Sequence, residues 1–160
     1  MNKYLIITIS ALLLTCTSPA SASAAAEQKL VPTKAFNQEE YSLYSIEDFT
    51  ANSGDYMVAH LEEGIGYLVN DEMRHYAQFP LLSGQKRYIR YLGRGYFAAT
   101  PEQTWVIKEK NIQGDRVTFG KTGEFLRLFA NGKRTHYGIH GHRSYDVMIA
   151  RETKFQSYGC

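Results

Sequence analysis

Glu124-Phe-Leu-Arg-Leu-Phe-Ala130, Asn131-Gly132 and Lys133-Arg-Thr-His-Tyr-Gly-Ile-His140 together form the stretch that decides the fold. Residues 124–130 alternate apolar and polar positions and read as a strand. Asn131-Gly132 supplies two residues tolerant of positive φ, which a two-residue hairpin turn of the favoured twist demands. Residues 133–140 then return as the partner strand. Such a hairpin delivers His140 to the end of a strand, where a rigid element fixes the position of a reactive side chain.

The chain upstream repeats the pattern. Tyr56-Met-Val-Ala-His-Leu61, Gly66-Tyr-Leu-Val-Asn70 and Met73 to Leu82 are three strand-like runs. Turns at Glu62-Glu-Gly64 and Asn70-Asp71 separate them, and Ser83-Gly84 ends the third just after Pro80. They predict a β-meander. Pro101 fixes its own φ and pushes Thr100 into extended geometry, so a further strand is expected from about Thr104 through Trp105 to Ile107, with Trp105 in the core. Asn111 to Gly123 is a glycine-punctuated loop without the Gly-Lys-Ser/Thr of a phosphate-binding loop. Ser45-Ile-Glu-Asp48 resembles a capping box and predicts a short helix around residues 45–51, and residues 144–151 are helix-compatible. Twelve Tyr and eight Phe favour strands. The expected fold is mostly β, with mixed and antiparallel sheets in a sandwich-like arrangement and one or two short helices. It occupies a single domain over residues 55–160, preceded by a tether or pro-segment over 25–54.

Lys3, the apolar run Tyr4 to Leu14 and the small residues Ala20 to Ala26 read as a secretory signal peptide over residues 1–24, cleaved after Ala22-Ser23-Ala24. The apolar run is short for a membrane span. Leu13-Leu14-Thr15-Cys16 also resembles a lipobox, with Thr15 where a smaller residue is usual, so a lipid tether at Cys16 is the alternative to a soluble exported form. The 18 Lys and Arg fall to 17 without Lys3, against 16 Asp and Glu. That balance gives no support for nucleic-acid binding, which needs a clustered basic excess.

Once the leader is removed or lipidated, Cys160 is the one free thiol left in the chain. A lone cysteine has no intrachain disulfide partner, and a single thiol in an oxidising compartment is a liability unless its chemistry is used. An imidazole beside a thiol takes its proton and holds the ion pair, lowering the thiol pKa. His140 is the candidate base, followed by Gly141, and 16 residues separate it from Ser157 in Ser157-Tyr158-Gly159-Cys160. Gly159 permits a tight bend before the nucleophile.

This arrangement resembles the catalytic signature of the L,D-transpeptidases of the YkuD type, in which His-Gly is followed at such a spacing by Ser/Thr-x-Gly-Cys. The meander ending in Ser83-Gly84 and the Thr100-Pro101 block before a strand are similar to that family too, with Gln103 where Gly is usual. Tyr158 stands where the family most often has His, and His142 where Thr is common.

The resemblance implies Cys160 as nucleophile and His140 as base. It implies that the carbonyl of Gly141 orients the imidazole and that the amides of Tyr158, Gly159 and Cys160 hold an oxyanion. Ser157, His142, Arg143 and Tyr137 are the implied substrate-binding residues. The implied reaction is acyl transfer on a peptidoglycan tetrapeptide stem in the cell envelope, with no cofactor and no metal. Peptidoglycan peptide stems are the implied partner, and the acceptor is a second stem, a protein lysine or water.

Two other classes stay open from the residues alone. His136, His140 and His142 form H-x3-H-x-H, and three imidazoles on one strand suit a zinc-dependent hydrolase. A non-catalytic wall-binding module is also compatible with an aromatic-rich β domain. Family members continue past the cysteine with a further helix and strand. The expectation is therefore that residues 1–160 are part of a longer chain and are, alone, folded in part and nearly inactive, because a terminal carboxylate beside the thiol opposes its ionisation.

Overall fold

The computed structural model describes residues 5–9, 36–91 and 93–158. Their strands are β1 (Leu5–Ile9), β2 (Ser42–Tyr44), β3 (Tyr56–His60), β4 (Ile65–Asn70), β5 (His75–Pro80) and β6 (Ser83–Gly84). There follow β7 (Arg87–Tyr91), β8 (Arg94–Ala98), β9 (Trp105–Ile112), β10 (Glu124–Ala130), β11 (Lys133–His140) and β12 (Phe155–Ser157). One short helix, α1 (Tyr145–Ile149), and a 3-10 turn at Gln38–Glu40 complete the described elements. The fold is mostly β, as expected.

Eight strands form one mixed sheet in the order β11-β10-β9-β1-β3-β4-β5-β2. Its pairings are antiparallel except β1 with β9 and β2 with β5. Two ribbons flank it: β7 with β8, antiparallel, and β12 with β6, parallel. The predicted meander appears as β3-β4-β5, and the predicted hairpin as β10-β11.

Successive side chains of a strand point to opposite faces, and β3 uses both. Met57 and Ala59, with Leu61, join Trp105, Ile107 and Leu128 in one buried cluster. Tyr56 and Val58 join Tyr67, Val69 and Tyr76 in a second. A strand covered on both faces reads as a continuous apolar run, which is how Tyr56 to Ala59 reads.

One local reading differs from the structure. The capping box at Ser45 yields a single turn, not a helix: Ser45 Oγ accepts from Glu47 N at 3.2 Å and its carbonyl from Asp48 N at 3.2 Å. β2 ends immediately before it, and a side-chain-capped turn needs no further residues to satisfy those groups.

The segment read as a tether is docked where it is described. Phe36 sits 5.3 Å from the Tyr41 ring and 5.4 Å from those of Tyr67 and Tyr76, closing the second cluster, and β2 adds a parallel edge to β5. Residues 25–35 lie outside the described residues.

β1 lies within the segment read as a signal peptide and pairs with two strands, Leu5 opposite Ala59 on β3 and Ile7 opposite Trp105 on β9. An apolar run rich in Ile and Thr suits a signal core and a central strand equally, so pattern alone does not separate them. The rest of residues 1–24, with Cys16 and the proposed cleavage site, lies outside the described residues.

Candidate functional site

The hairpin turn places the candidate base. Asn131 and Gly132 have φ of 50° and 73°, the two left-handed residues the turn requires. Ala130 faces Lys133, but a bulge between Arg127 and Phe129 shifts the ladder, and His140 faces Phe125. Two bonds hold the bulge: Arg127 Nη1 donates to the Thr135 carbonyl at 2.9 Å, and Thr135 Oγ1 donates to the Leu128 carbonyl at 2.6 Å.

His140 Nδ1 lies 2.7 Å from the carbonyl oxygen of Gly141. A carbonyl only accepts, so Nδ1 carries the hydrogen and Nε2 keeps its lone pair in the neutral ring. The imidazole is boxed by two aromatic rings, Phe125 at 5.8 Å and 30° and Phe119 at 5.0 Å and 56°. The arrangement is that of an oriented, half-buried base.

Glycines make this packing possible. A Cβ on Gly138 would stand 2.2 Å from the Phe125 ring, so the ring lies across the strand where Gly138 has no side chain. Gly138→Ala is expected to expel Phe125 from the face of His140. An overpacking cost of about 1–3 kcal/mol in thermal or chemical denaturation checks it, together with loss of the ring-current shift on His140. A stability within experimental error of the parent would contradict the packing.

The loop over residues 113–123 locks the turn after His140. Gly120 has φ of +73° and abuts Gly141 so closely that a Cβ would lie 3.3 Å from its backbone. Arg143 N donates to the Val117 carbonyl at 2.9 Å. Asp115 Oδ1 accepts from Val117 N at 3.0 Å and Thr118 N at 3.1 Å.

Hydrogen bonds from the Thr118 side chain and then its amide hold the Asp115 carboxyl below its ordinary value. Stability from a depressed carboxyl is present above the unfolded pKa and lost as pH falls through the folded one. The His140 environment, followed by NMR, should therefore persist on acidification until pH falls below about 3.8, the ordinary value. A change of the loop between pH 5 and 7 would count against Asp115 as its lock.

The other expected site residues fall into three groups. His142 and Arg143 lie beside His140 in the same turn. His142 Nδ1 accepts from Ser144 N at 3.0 Å, so that nitrogen is occupied, and the Arg143 side chain is exposed.

Tyr137 requires a correction: it does not join them. Side chains alternate along β11, so Tyr137 points to the core face, where its ring lies 5.3 Å from Trp105. Trp105 itself is buried, as expected.

Ser157 and Tyr158 stand at the end of the ribbon. Ser157 pairs with Gly84, and its carbonyl accepts from Gln85 N at 3.1 Å. Gly159 and Cys160, the nucleophile position, lie outside the described residues. Between the His140 turn and β12 lies α1: Tyr145 Oη donates to the Pro80 carbonyl at 2.5 Å, and Gln156 Nε2 donates to the Met148 carbonyl at 2.6 Å.

The three histidines do not converge. His136 and His140 share a face but stand four positions apart on a strand, roughly 13 Å at the strand rise. No group of three His, Cys, Asp or Glu able to hold a metal forms among the described residues. A cleft of about 730 Å³ exists elsewhere, lined by Leu43, Ile46, Glu63, Phe79 and Lys154 among others, and none of the expected site residues lines it.

Sequence reasoning missed Phe119, Phe125 and Asp115. Counting outward from Asn131-Gly132 without the bulge puts Gly123, not Phe125, opposite His140. Phe119 and Asp115 sit in a loop whose pattern carries no periodicity. No family model matches the chain, and no curated protein and no solved structure matches it either.

Proposed function

We propose that this protein is a peptidoglycan L,D-transpeptidase of the cell envelope. The observation that carries the reading is the orientation of His140: Nδ1 is tied to the Gly141 carbonyl, leaving Nε2 as the basic atom, in a chain whose His140-Gly141 is followed by Ser157-Tyr158-Gly159-Cys160.

In this reading His140 Nε2 takes the proton of the Cys160 thiol. The thiolate attacks the carbonyl carbon of the third residue, a diamino acid, of a tetrapeptide stem. The oxyanion is held by backbone amides around Gly159. The carbon–nitrogen bond to the terminal D-alanine breaks, and D-alanine leaves with the proton returned by His140. The thioester is then attacked by an acceptor amine or water, which yields its proton to His140. The new amide or acid forms and the thiol is restored. His142 and Arg143, in the turn after the base, bind the stem's carboxylates in this reading.

Incubating the full-length protein with a tetrapeptide stem and recording its intact mass tests the proposal. A gain equal to the stem less D-alanine is expected. Unmodified protein alongside unconsumed stem would overturn it.

The zinc-hydrolase alternative makes the opposite forecast about chelation. With Cys160 as nucleophile, turnover should survive prolonged EDTA treatment. Loss of turnover, restored by zinc, would transfer the function to the histidines as metal ligands.

A further inference from the structure

The β7–β8 hairpin has two unlike faces. Its register sets Tyr88 opposite Phe97, Arg90 opposite Gly95 and Arg87 opposite the buried Ala98. The face shared with Ala98 turns inward and grips the segment that leads to Cys160. There the Tyr91 ring stacks on Tyr158 at 5.0 Å and 18°, and Tyr96 Oη donates to the Tyr158 carbonyl at 2.8 Å.

The other face turns outward and is open. Tyr88 is 73% exposed and Phe97 58%, and Arg90 is exposed beside them. Gly95 keeps that face flat: a Cβ there would stand 2.9 Å from the Tyr88 ring, which lies across the glycine.

Adjacent exposed aromatic rings are costly to leave in water without a partner. Rigid Tyr side chains bring large contact area at little entropic cost, and Tyr and Arg dominate binding hot spots. Along the chain the charges of this stretch have one sign. No acidic residue lies between Glu72 and Glu102, whereas Lys86, Arg87, Arg90 and Arg94 cluster in and beside the hairpin. Lys86 is partly spent on Glu62, at 3.3 Å, but Arg90 makes no ion pair among the described residues.

We propose that the outward face of β7–β8, formed by Tyr88, Arg90 and Phe97, docks an anionic glycan–peptide polymer and holds it next to the segment carrying Cys160. The occupant rests on the function proposed above, whose substrate is such a polymer. Its sugar rings offer flat apolar faces to Tyr88 and Phe97, and its carboxylates complement Arg90. The inward contacts to Tyr158 give the hairpin its place: whatever binds outside lies one strand's thickness from the residues that precede the thiol.

Co-sedimentation of the full-length protein with purified insoluble peptidoglycan tests this without any turnover. The unaltered protein should pellet. Tyr88→Ala with Phe97→Ala, and separately Arg90→Glu, should each raise the apparent Kd by at least about tenfold, the range of a hot-spot loss. All three side chains are exposed, so melting temperatures should match the parent, and Arg90→Glu alone decides the matter where the double variant fails to fold. Parent-like pelleting by both variants would overturn the proposal, as would failure of the unaltered protein to pellet. Equal binding to vesicles of phosphatidylethanolamine and phosphatidylglycerol would overturn the choice of occupant. Acylation by a soluble tetrapeptide is read separately. Acylation without pelleting sinks the docking face alone, and variant-sensitive pelleting without acylation sinks the transpeptidase reading and leaves the docking face standing.

Discussion

His140→Ala is expected to slow acylation of Cys160 by about a thousandfold, mid-range for loss of a positioned general base. The thiol loses the imidazole that accepts its proton, so its pKa should rise toward the ordinary cysteine value of about 8.5. Alkylation rates of Cys160 across pH separate the two effects. In the parent the rate should rise at a lower pH than in the variant. A structural role for His140 alone would lower stability without moving that profile. A variant acylating within about threefold of the parent, with the same pH profile, would remove His140 from the mechanism.

Trp105→Ala should be the most destabilising single truncation of the sheet. Trp105 is 1% exposed and sits in β9 among Met57, Ala59, Leu61, Ile107 and Leu128, with the Tyr137 ring against it. Emptying a site of that size costs about 3–5 kcal/mol, since the transfer free energy is lost and a cavity remains. For a domain of this size the melting temperature should fall on the order of 10 °C or more. Because Tyr137 lies on β11 three residues before His140, the same variant should loosen the base, and acylation should fall further than the unfolded fraction explains. A cost below about 1 kcal/mol would show that the first cluster does not organise the sheet.

The strands were legible where apolar runs met strong turn signals. Tyr56 to Pro80 and Glu124 to His140 carry both, and Asn131-Gly132 alone names its turn type. Position within the sheet was less legible, because pairing depends on partners far away in the chain. The bulge at Arg127 to Phe129 is the clearest case: it is held by Thr135 and by backbone oxygens, and nothing in the local pattern marks it. That one irregularity decides which aromatic ring faces His140. The resemblance grouped Tyr137 with His142 and Arg143, but alternation along β11 sends Tyr137 and His140 to opposite faces, and the Tyr137 ring packs on Trp105.

The role of β7–β8 was hidden as well. Arg87 to Tyr91 and Arg94 to Ala98 alternate weakly, and it takes the stacking of Tyr91 and the hydrogen bond of Tyr96 on Tyr158 to show what their inner face holds. Leu5–Ile9 shows the limit from the other side, since one five-residue apolar run satisfies two quite different requirements.

The central claim is that a thiol at Cys160, served by His140, forms a thioester with a peptidoglycan stem. Peptide mapping of the full-length protein after incubation with a tetrapeptide stem tests it most directly. An adduct of the stem less D-alanine is expected on the peptide containing Cys160, labile to hydroxylamine and absent in Cys160→Ala. Turnover of the stem by Cys160→Ala at the parent rate, or an adduct on any other residue, would contradict it.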